Sequence, residues 1–180
     1  MAITNYERVG KAIDLLREGL RPFVEREMKA THGEQWVKVA EEGFPNLRLK
    51  GGMVFTDPAN LLSILLNEWN RVFEKTLGKA EKNAVHTLKE VRNNWAHAGT
   101  FSGDETYRAI DTVGLLLAAI AAPQVDEIEK MKMELLRVRF DEQVRSEKRK
   151  SAGSTVETQA QTGLEPWREV VNPHKDVASG

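Results

Sequence analysis

The sequence contains no cysteine. Disulfides, thiolate zinc sites and cysteine nucleophiles are excluded together. A disulfide-stapled secreted fold goes with them, and the cytoplasm is the expected location. An excess of either charge is also missing: 26 Lys and Arg face 27 Asp and Glu, a formal net charge of −1 at pH 7. The chain therefore lacks the overall basic balance of a non-specific nucleic-acid binder, which leaves only a local patch for that purpose. The longest apolar run, Leu115–Ala122, is far short of the roughly 20 residues a bilayer requires, so no membrane partner is expected. Met1 to Arg8 holds no apolar stretch, so no signal peptide is expected. No Gly-rich phosphate loop occurs, which excludes P-loop nucleotide hydrolysis from these residues. Strand-period alternation is absent as well.

What is present is helical. The 180 residues are 41% hydrophobic, enough for one packed domain and a tail. Val9, Ala12, Ile13, Leu16, Leu20, Phe23 and Val24 recur in steps of three and four, which predicts an amphipathic helix from Thr4 to about Met28. Pro22 is expected to kink or end it. A short helix is expected around Glu34–Glu42, and the segment from Gly43 to Pro58 reads as a loop with a brief extended piece at Met53–Phe55. Asp57-Pro58 is a helix start, with Asp at the N-cap and Pro in the first turn. The stripe Leu61, Leu62, Leu65, Leu66, Trp69, Val72, Phe73 and Leu77 predicts one core helix closed by Gly78. A further helix spans about Glu81 to Ala98, ending at Gly99. Another is capped by Asp104, and a last one opens at Pro123. The fold class is all-α, an antiparallel helical bundle of five to six helices without internal repeats. Trp69, Phe73, Leu88, Val91, Trp95, Leu116 and Leu117 are expected to form one core. After Lys150 the composition turns small and polar. The expected organisation is a bundle over 1–150, a flexible linker over 151–163, and the start of a following domain or a disordered tail over 164–180.

The stretch Val85–His97 carries the chemistry. At about 100° per residue, Ala84, Leu88, Val91 and Trp95 share one face, and His86, Glu90, Asn93 and His97 the opposite one. Arg92 lies at the boundary. Histidine titrates near neutral pH and moves protons. Arginine grips phosphate with a planar, permanently charged fork. Asparagine orients either group or holds a substrate oxygen. These are the parts needed for metal-independent RNA cleavage, in which the ribose 2′-hydroxyl attacks the adjacent phosphate. One helix supplies one base and one cation, and two copies across a dyad supply two of each. A solvated helix face gives the same spacing, and a histidine in the last turn also suits the helix dipole. Metal binding by His86, Glu90 and His97 fits poorly, because His97 lies nearly two turns beyond Glu90 and no H-E-x-x-H spacing occurs. No cofactor or metal is expected. The run Arg137–Lys150 is locally basic, which a solvated helix end explains as well as RNA contact does.

Arg92-Asn-Asn-Trp-Ala-His97 resembles the R-N-x-x-x-H motif of HEPN domains (higher eukaryotes and prokaryotes nucleotide-binding). The flanks resemble a subtype shared with an mRNA-surveillance endonuclease and with prokaryotic defence proteins. They are Thr31-His-Gly-Glu-Gln-Trp36, the Asp57-opened helix with Trp69-Asn-Arg-Val-Phe73, and the Asp-x-x-Tyr-x-Ala-x-Asp segment from Asp104 to Asp111. The resemblance covers about residues 5–122. It implies a helical bundle that homodimerises with its motifs facing each other, and a metal-independent ribonuclease with Arg92, Asn93 and His97 as catalytic residues. Glu90, one turn before the motif, is a supporting residue, expected to pair with Arg92 of either subunit or to hold a histidine tautomer. A variant with a modified tyrosine two residues after the histidine does not apply, since His97-Ala-Gly99 stands there.

The segment Pro166–Gly180 (PWREVVNPHKDVASG) resembles the opening of a large AAA-type ATPase of phage-defence loci, which often carries this HEPN subtype at its N-terminus. That resemblance implies other defence-system proteins as partners besides RNA. It also keeps a second reading alive, a non-catalytic HEPN domain that dimerises the ATPase or docks RNA or protein.

Overall fold

A computed structural model describes residues 3–43 and 57–161, with side chains to residue 151. The described residues are helical, with no strand among them. Helix α1 spans Asn5–His32, a single 3-10 turn covers Gly33–Gln35, and α2 spans Trp36–Glu42. Helix α3 runs over Pro58–Asn67 and gives way to a π-helical turn, Trp69–Phe73. Helices α4, α5 and α6 span Lys79–Ala96, Gly103–Ala119 and Val125–Gln161. This is the expected all-α bundle. No helix among the described residues is long and apolar enough to cross a membrane.

The helix starts obey local chemistry. Thr4 caps α1 and Ser102 caps α5, each through a reciprocal capping box with the glutamate three residues on. Asp57 caps α3, its Oδ1 accepting from the Ala59 amide at 2.8 Å. Asp104 therefore lies inside the first turn of α5, not at its cap, because the Ser102 hydroxyl reaches the Glu105 amide first. Gly78 does not close the preceding helix. It is the N-cap of α4, with its amide donating to the Glu81 carboxylate at 2.8 Å.

Pro22 neither breaks nor ends α1. It lies on the exposed side, where water can satisfy the Glu18 carbonyl left without its amide partner. Leu20, Phe23, Val24 and Met28 stay buried on the other side and hold the helix through it.

Residues Met1–Arg137 form one compact unit. In it α1 packs against α2, α3, α4 and α5, while α4 lies between α3 and α5. Helix α4 runs antiparallel to α3, since Asp57 meets Arg92 and Trp69 lies under Lys82. Helix α6 runs antiparallel to α5, since Gly114 faces Ile128 and Asp111 pairs with Lys132 at 3.1 Å.

The expected single core is two. The larger cluster holds Trp69, Phe73, Leu88, Leu116 and Leu117 together with α1 and α2 residues. Val91 and Trp95 instead pack on a second, smaller cluster of Val9, Ile13 and Ala109. The separation comes from the helical step: Val85 and Leu88 are buried, whereas Trp95 near the helix end leans towards the start of α1.

The second unit, Val138–Gly180, contains the rest of α6. The helix continues to Gln161 and so covers most of the 151–163 segment whose composition reads as a linker. Ala152, Glu157, Gln159 and Ala160 are residues that suit a helix. The expected loop with its extended piece at Met53–Phe55 and the segment 164–180 lie outside the described residues.

Candidate functional site

Helix α4 presents two different sides. Val85, Leu88 and Arg92 succeed one another at three and four residues, so Arg92 continues the buried stripe instead of joining the polar line. His86, Glu90, Asn93 and His97 are all exposed, as their spacing predicts. None of these four side chains has a hydrogen-bond or ion-pair partner among the described residues. Arg92 and His97 are separated by about 140° around the helix axis, five steps of about 100°.

Arg92 is held tightly. Its Nη2 donates to Asp57 Oδ2 at 2.6 Å, and only 23% of the Arg92 side chain is exposed, against 38% for Asp57. The expected pairing of Glu90 with Arg92 does not occur within one chain: Glu90 lines a cavity with Arg108 and Ala109 of α5, whereas Arg92 is bound to Asp57. One Asp57 oxygen caps α3 and the other binds Arg92, so the carboxylate joins the start of α3 to the last turns of α4. The sequence marks Asp57 as a cap, but nothing in it announces a partner 35 residues away.

His97 is the residue at which α4 stops. Its amide still donates to the Asn93 carbonyl at 3.1 Å. Ala98 then takes a left-handed conformation with φ 54°. The Ala98 amide bonds to the Trp95 carbonyl at 3.1 Å and the Gly99 amide to the Asn94 carbonyl at 2.9 Å. This is a Schellman motif, and it fixes the chain direction directly after His97. The helix thus ends two residues before the expected Ala98. Gly99 is favoured for a reason other than its φ: a Cβ there would lie 2.8 Å from the Asn94 carbonyl oxygen, which the helix end holds in place, and would also displace the exposed Asn94 side chain.

Beside the polar line lies a cavity of about 250 Å³, lined by Glu90, Val91, Asn94, Phe101, Arg108 and Ala109 among others. Its lining combines apolar side chains (Val91, Phe101, Ala109) with carboxylate, amide and guanidinium groups. Glu90 belongs both to the polar line and to this cavity.

A second polar pair joins the other motif segments. His32 Nε2 and Glu68 Oε2 are 3.2 Å apart, with side chains 16% and 13% exposed. His32 ends α1 and Glu68 stands at the junction of α3 with the π-helical turn. The pair ties Thr31–Trp36 to Trp69–Phe73. Among the described residues no three His, Asp or Glu side chains gather as a metal site, so His86, Glu90 and His97 do not form one.

A family model described as Swt1-like HEPN matches residues 11–121, more than half of the chain. No curated protein and no solved structure matches it. The matched span runs from α1 to the end of α5 and includes Asp57, Arg92, Asn93 and His97. The chain belongs to the Swt1-like HEPN family.

Proposed function

We propose that this Swt1-like HEPN domain is a metal-independent endoribonuclease module that works as a homodimer. The observation that carries the reading is the state of α4. Arg92, Asn93 and His97 are all present, His97 and Asn93 are free towards solvent, and Arg92 is fixed at a defined place one side over.

In this reading an RNA strand lies along α4. The 2′-oxygen attacks the neighbouring phosphorus, the O2′–P bond forms and the P–O5′ bond breaks. His97 accepts the hydroxyl proton or returns one to the leaving O5′. One imidazole serves one of these roles at a time, so two copies of α4 facing each other supply both. Arg92 stabilises the charge that develops on the phosphoryl oxygens. Asn93 orients the substrate, and Glu90 supports the site from the lining of the adjoining cavity. No metal or cofactor has a role in these steps. The products are a 2′,3′-cyclic phosphate and a 5′-hydroxyl end.

The surrounding organisation belongs to the same proposal. Residues 1–150 are the HEPN-like bundle, 151–163 connect it to the next segment, and 164–180 begin a further domain of an antiviral ATPase in the cytoplasm. Other proteins of that defence system are partners. A non-catalytic role in dimerisation or in RNA or protein binding is the competing reading. It is favoured by the net charge of −1 and by the neutralisation of Arg92 by Asp57, since RNA affinity comes largely from phosphate contacts.

Incubation of the purified chain with RNA in EDTA, with determination of the new ends, tests the proposal. Cyclic phosphate and 5′-hydroxyl ends support it. Intact RNA, or 3′-hydroxyl ends formed only with Mg²⁺, contradicts it. Light scattering at tens of micromolar should give twice the chain mass, and a monomer would contradict the composite site.

A further inference from the structure

We infer that Asp57 is the positioning residue for Arg92 and sets how the guanidinium meets RNA, an inference that rests on the reading of α4 as an RNA-cleaving helix. Asp57 has two oxygens and both are engaged. Oδ1 accepts from the Ala59 amide at 2.8 Å and Oδ2 from Arg92 Nη2 at 2.6 Å. The first bond locks the carboxylate to the start of α3, so the second bond has a fixed origin. A side chain as long as arginine otherwise samples many rotamers, and holding it restricts that freedom before substrate arrives.

The contact is made through one nitrogen. A guanidinium carries five N–H donors in a plane, and a single Nη2 contact leaves Nε and Nη1 to point elsewhere. Arg92 thus remains able to donate to a phosphate while Asp57 keeps its plane oriented. Asp57 also cancels the Arg92 charge. The resting pair attracts polyanions weakly, and a phosphate gains most when charge accumulates on it in the transition state. Asp57 therefore raises the rate at the expense of ground-state affinity. No other carboxylate reaches Arg92 among the described residues. Glu90, the nearest acidic residue along α4, is exposed on a different side.

Two substitutions separate this role from the capping role. Asn caps a helix about as well as Asp but carries no charge, whereas Glu carries the charge and caps poorly. Wild type, Asp57→Asn, Asp57→Glu, Arg92→Ala and the Asp57→Asn/Arg92→Ala double variant are compared in two assays. The first is cleavage of an RNA oligonucleotide. The second is binding of the same oligonucleotide with 2′-O-methyl riboses, which cannot be cleaved.

Asp57→Asn is expected to keep the melting temperature, lose roughly ten- to a hundredfold in kcat, the range of one charge-assisted hydrogen bond, and bind the uncleavable RNA severalfold tighter. That tightening is expected to vanish in the Arg92→Ala background. Asp57→Glu is expected to melt lower yet recover part of kcat. The inference is overturned if Asp57→Asn cleaves and binds like wild type, or if its tighter binding persists without Arg92. Absence of cleavage by the wild type ends the ribonuclease reading alone, and the binding assay then decides whether Asp57 governs Arg92.

Discussion

Tyr6 and Trp95 hold each other twice: their rings stack with centroids 5.6 Å apart and planes 19° from parallel, and the Tyr6 hydroxyl donates to the Trp95 carbonyl at 3.1 Å. The first turn of α1 is thereby fixed to the last turn of α4, two residues before His97. Gly10 completes the seat, since a Cβ there would lie 3.0 Å from Trp95 Nε1. The Nε1–H itself is buried and finds no acceptor among the described residues.

Substitutions at this seat have a definite order. Trp95→Ala should cost about 2–4 kcal/mol, below a fully buried tryptophan because the ring is half-buried. Trp95→Phe should cost less, because it also removes the unpaired donor. Gly10→Ala should cost about 1 kcal/mol, because the Trp95 ring 3.0 Å away is held by Tyr6 and must shift, which outweighs the helix-propensity gain of alanine. Thermal or urea unfolding measures all three. A Trp95→Ala protein as stable as wild type would show that the α1–α4 contact does not form in solution.

Ala98 and Ala121 occupy the left-handed position of two similar helix ends, with φ 54° and 53°. Glycine adopts that conformation without the Cβ penalty. Ala98→Gly and Ala121→Gly should each stabilise the fold by about 0.5–1 kcal/mol. A drop in melting temperature for both would mean that these ends are not left-handed.

Glu7 and Glu105 sit in capping boxes, and bonds to the Thr4 and Ser102 backbone, then to their hydroxyls, hold both carboxyls below the usual value of 4.5. Groups whose folded pKa is depressed stabilise the fold above their unfolded pKa and lose that contribution as pH falls through the folded pKa. Stability should therefore fall as the pH drops below about 4.5. Glu105→Gln should flatten part of that slope. NMR titration of Glu105 with a midpoint at or above 4.5 would remove this source of acid sensitivity.

His32→Ala should leave the enclosed Glu68 carboxylate with only the longer contact to Arg71, 4.0 Å away, and cost about 1–2 kcal/mol. His32→Asn, which keeps a donor, should recover part of it. Equal melting temperatures for wild type and His32→Ala would show that the pair contributes nothing to the junction of α1 with the π-helical turn.

The helices and the division of α4 into two sides are legible in the sequence because both stem from the 3.6-residue period. The exposed placement of His86, Glu90, Asn93 and His97 needs nothing more. For Arg92 the period gives only a boundary position, and its actual partner depends on where α3 begins relative to α4, which periodicity does not encode. The π-helical turn at Trp69–Phe73 is hidden for a related reason: its apolar residues continue the stripe of α3, so the change of helical geometry leaves no gap. Glycine punctuation also misleads. Gly78 and Gly99 both border α4, yet one begins it and the other lies close against the Asn94 carbonyl of the helix end.

Arg92 separates affinity from geometry. Arg92→Ala should lose both RNA affinity and rate. Arg92→Lys should keep the ion pair with Asp57 and part of the affinity but recover little rate, since an ammonium is a point charge without the planar fork. A lysine variant as fast as wild type would show that charge alone suffices.

Proton transfer by His97 in a metal-independent cleavage is tested most directly by one paired measurement. Wild type and His97→Ala are incubated with the same RNA in EDTA and melted in parallel. His97 is exposed and has no side-chain partner among the described residues, so superimposable melting curves are expected, with cleavage by the wild type and none by the variant. Cleavage by His97→Ala at the wild-type rate, or wild-type activity that dies in EDTA and returns with Mg²⁺, would contradict that role.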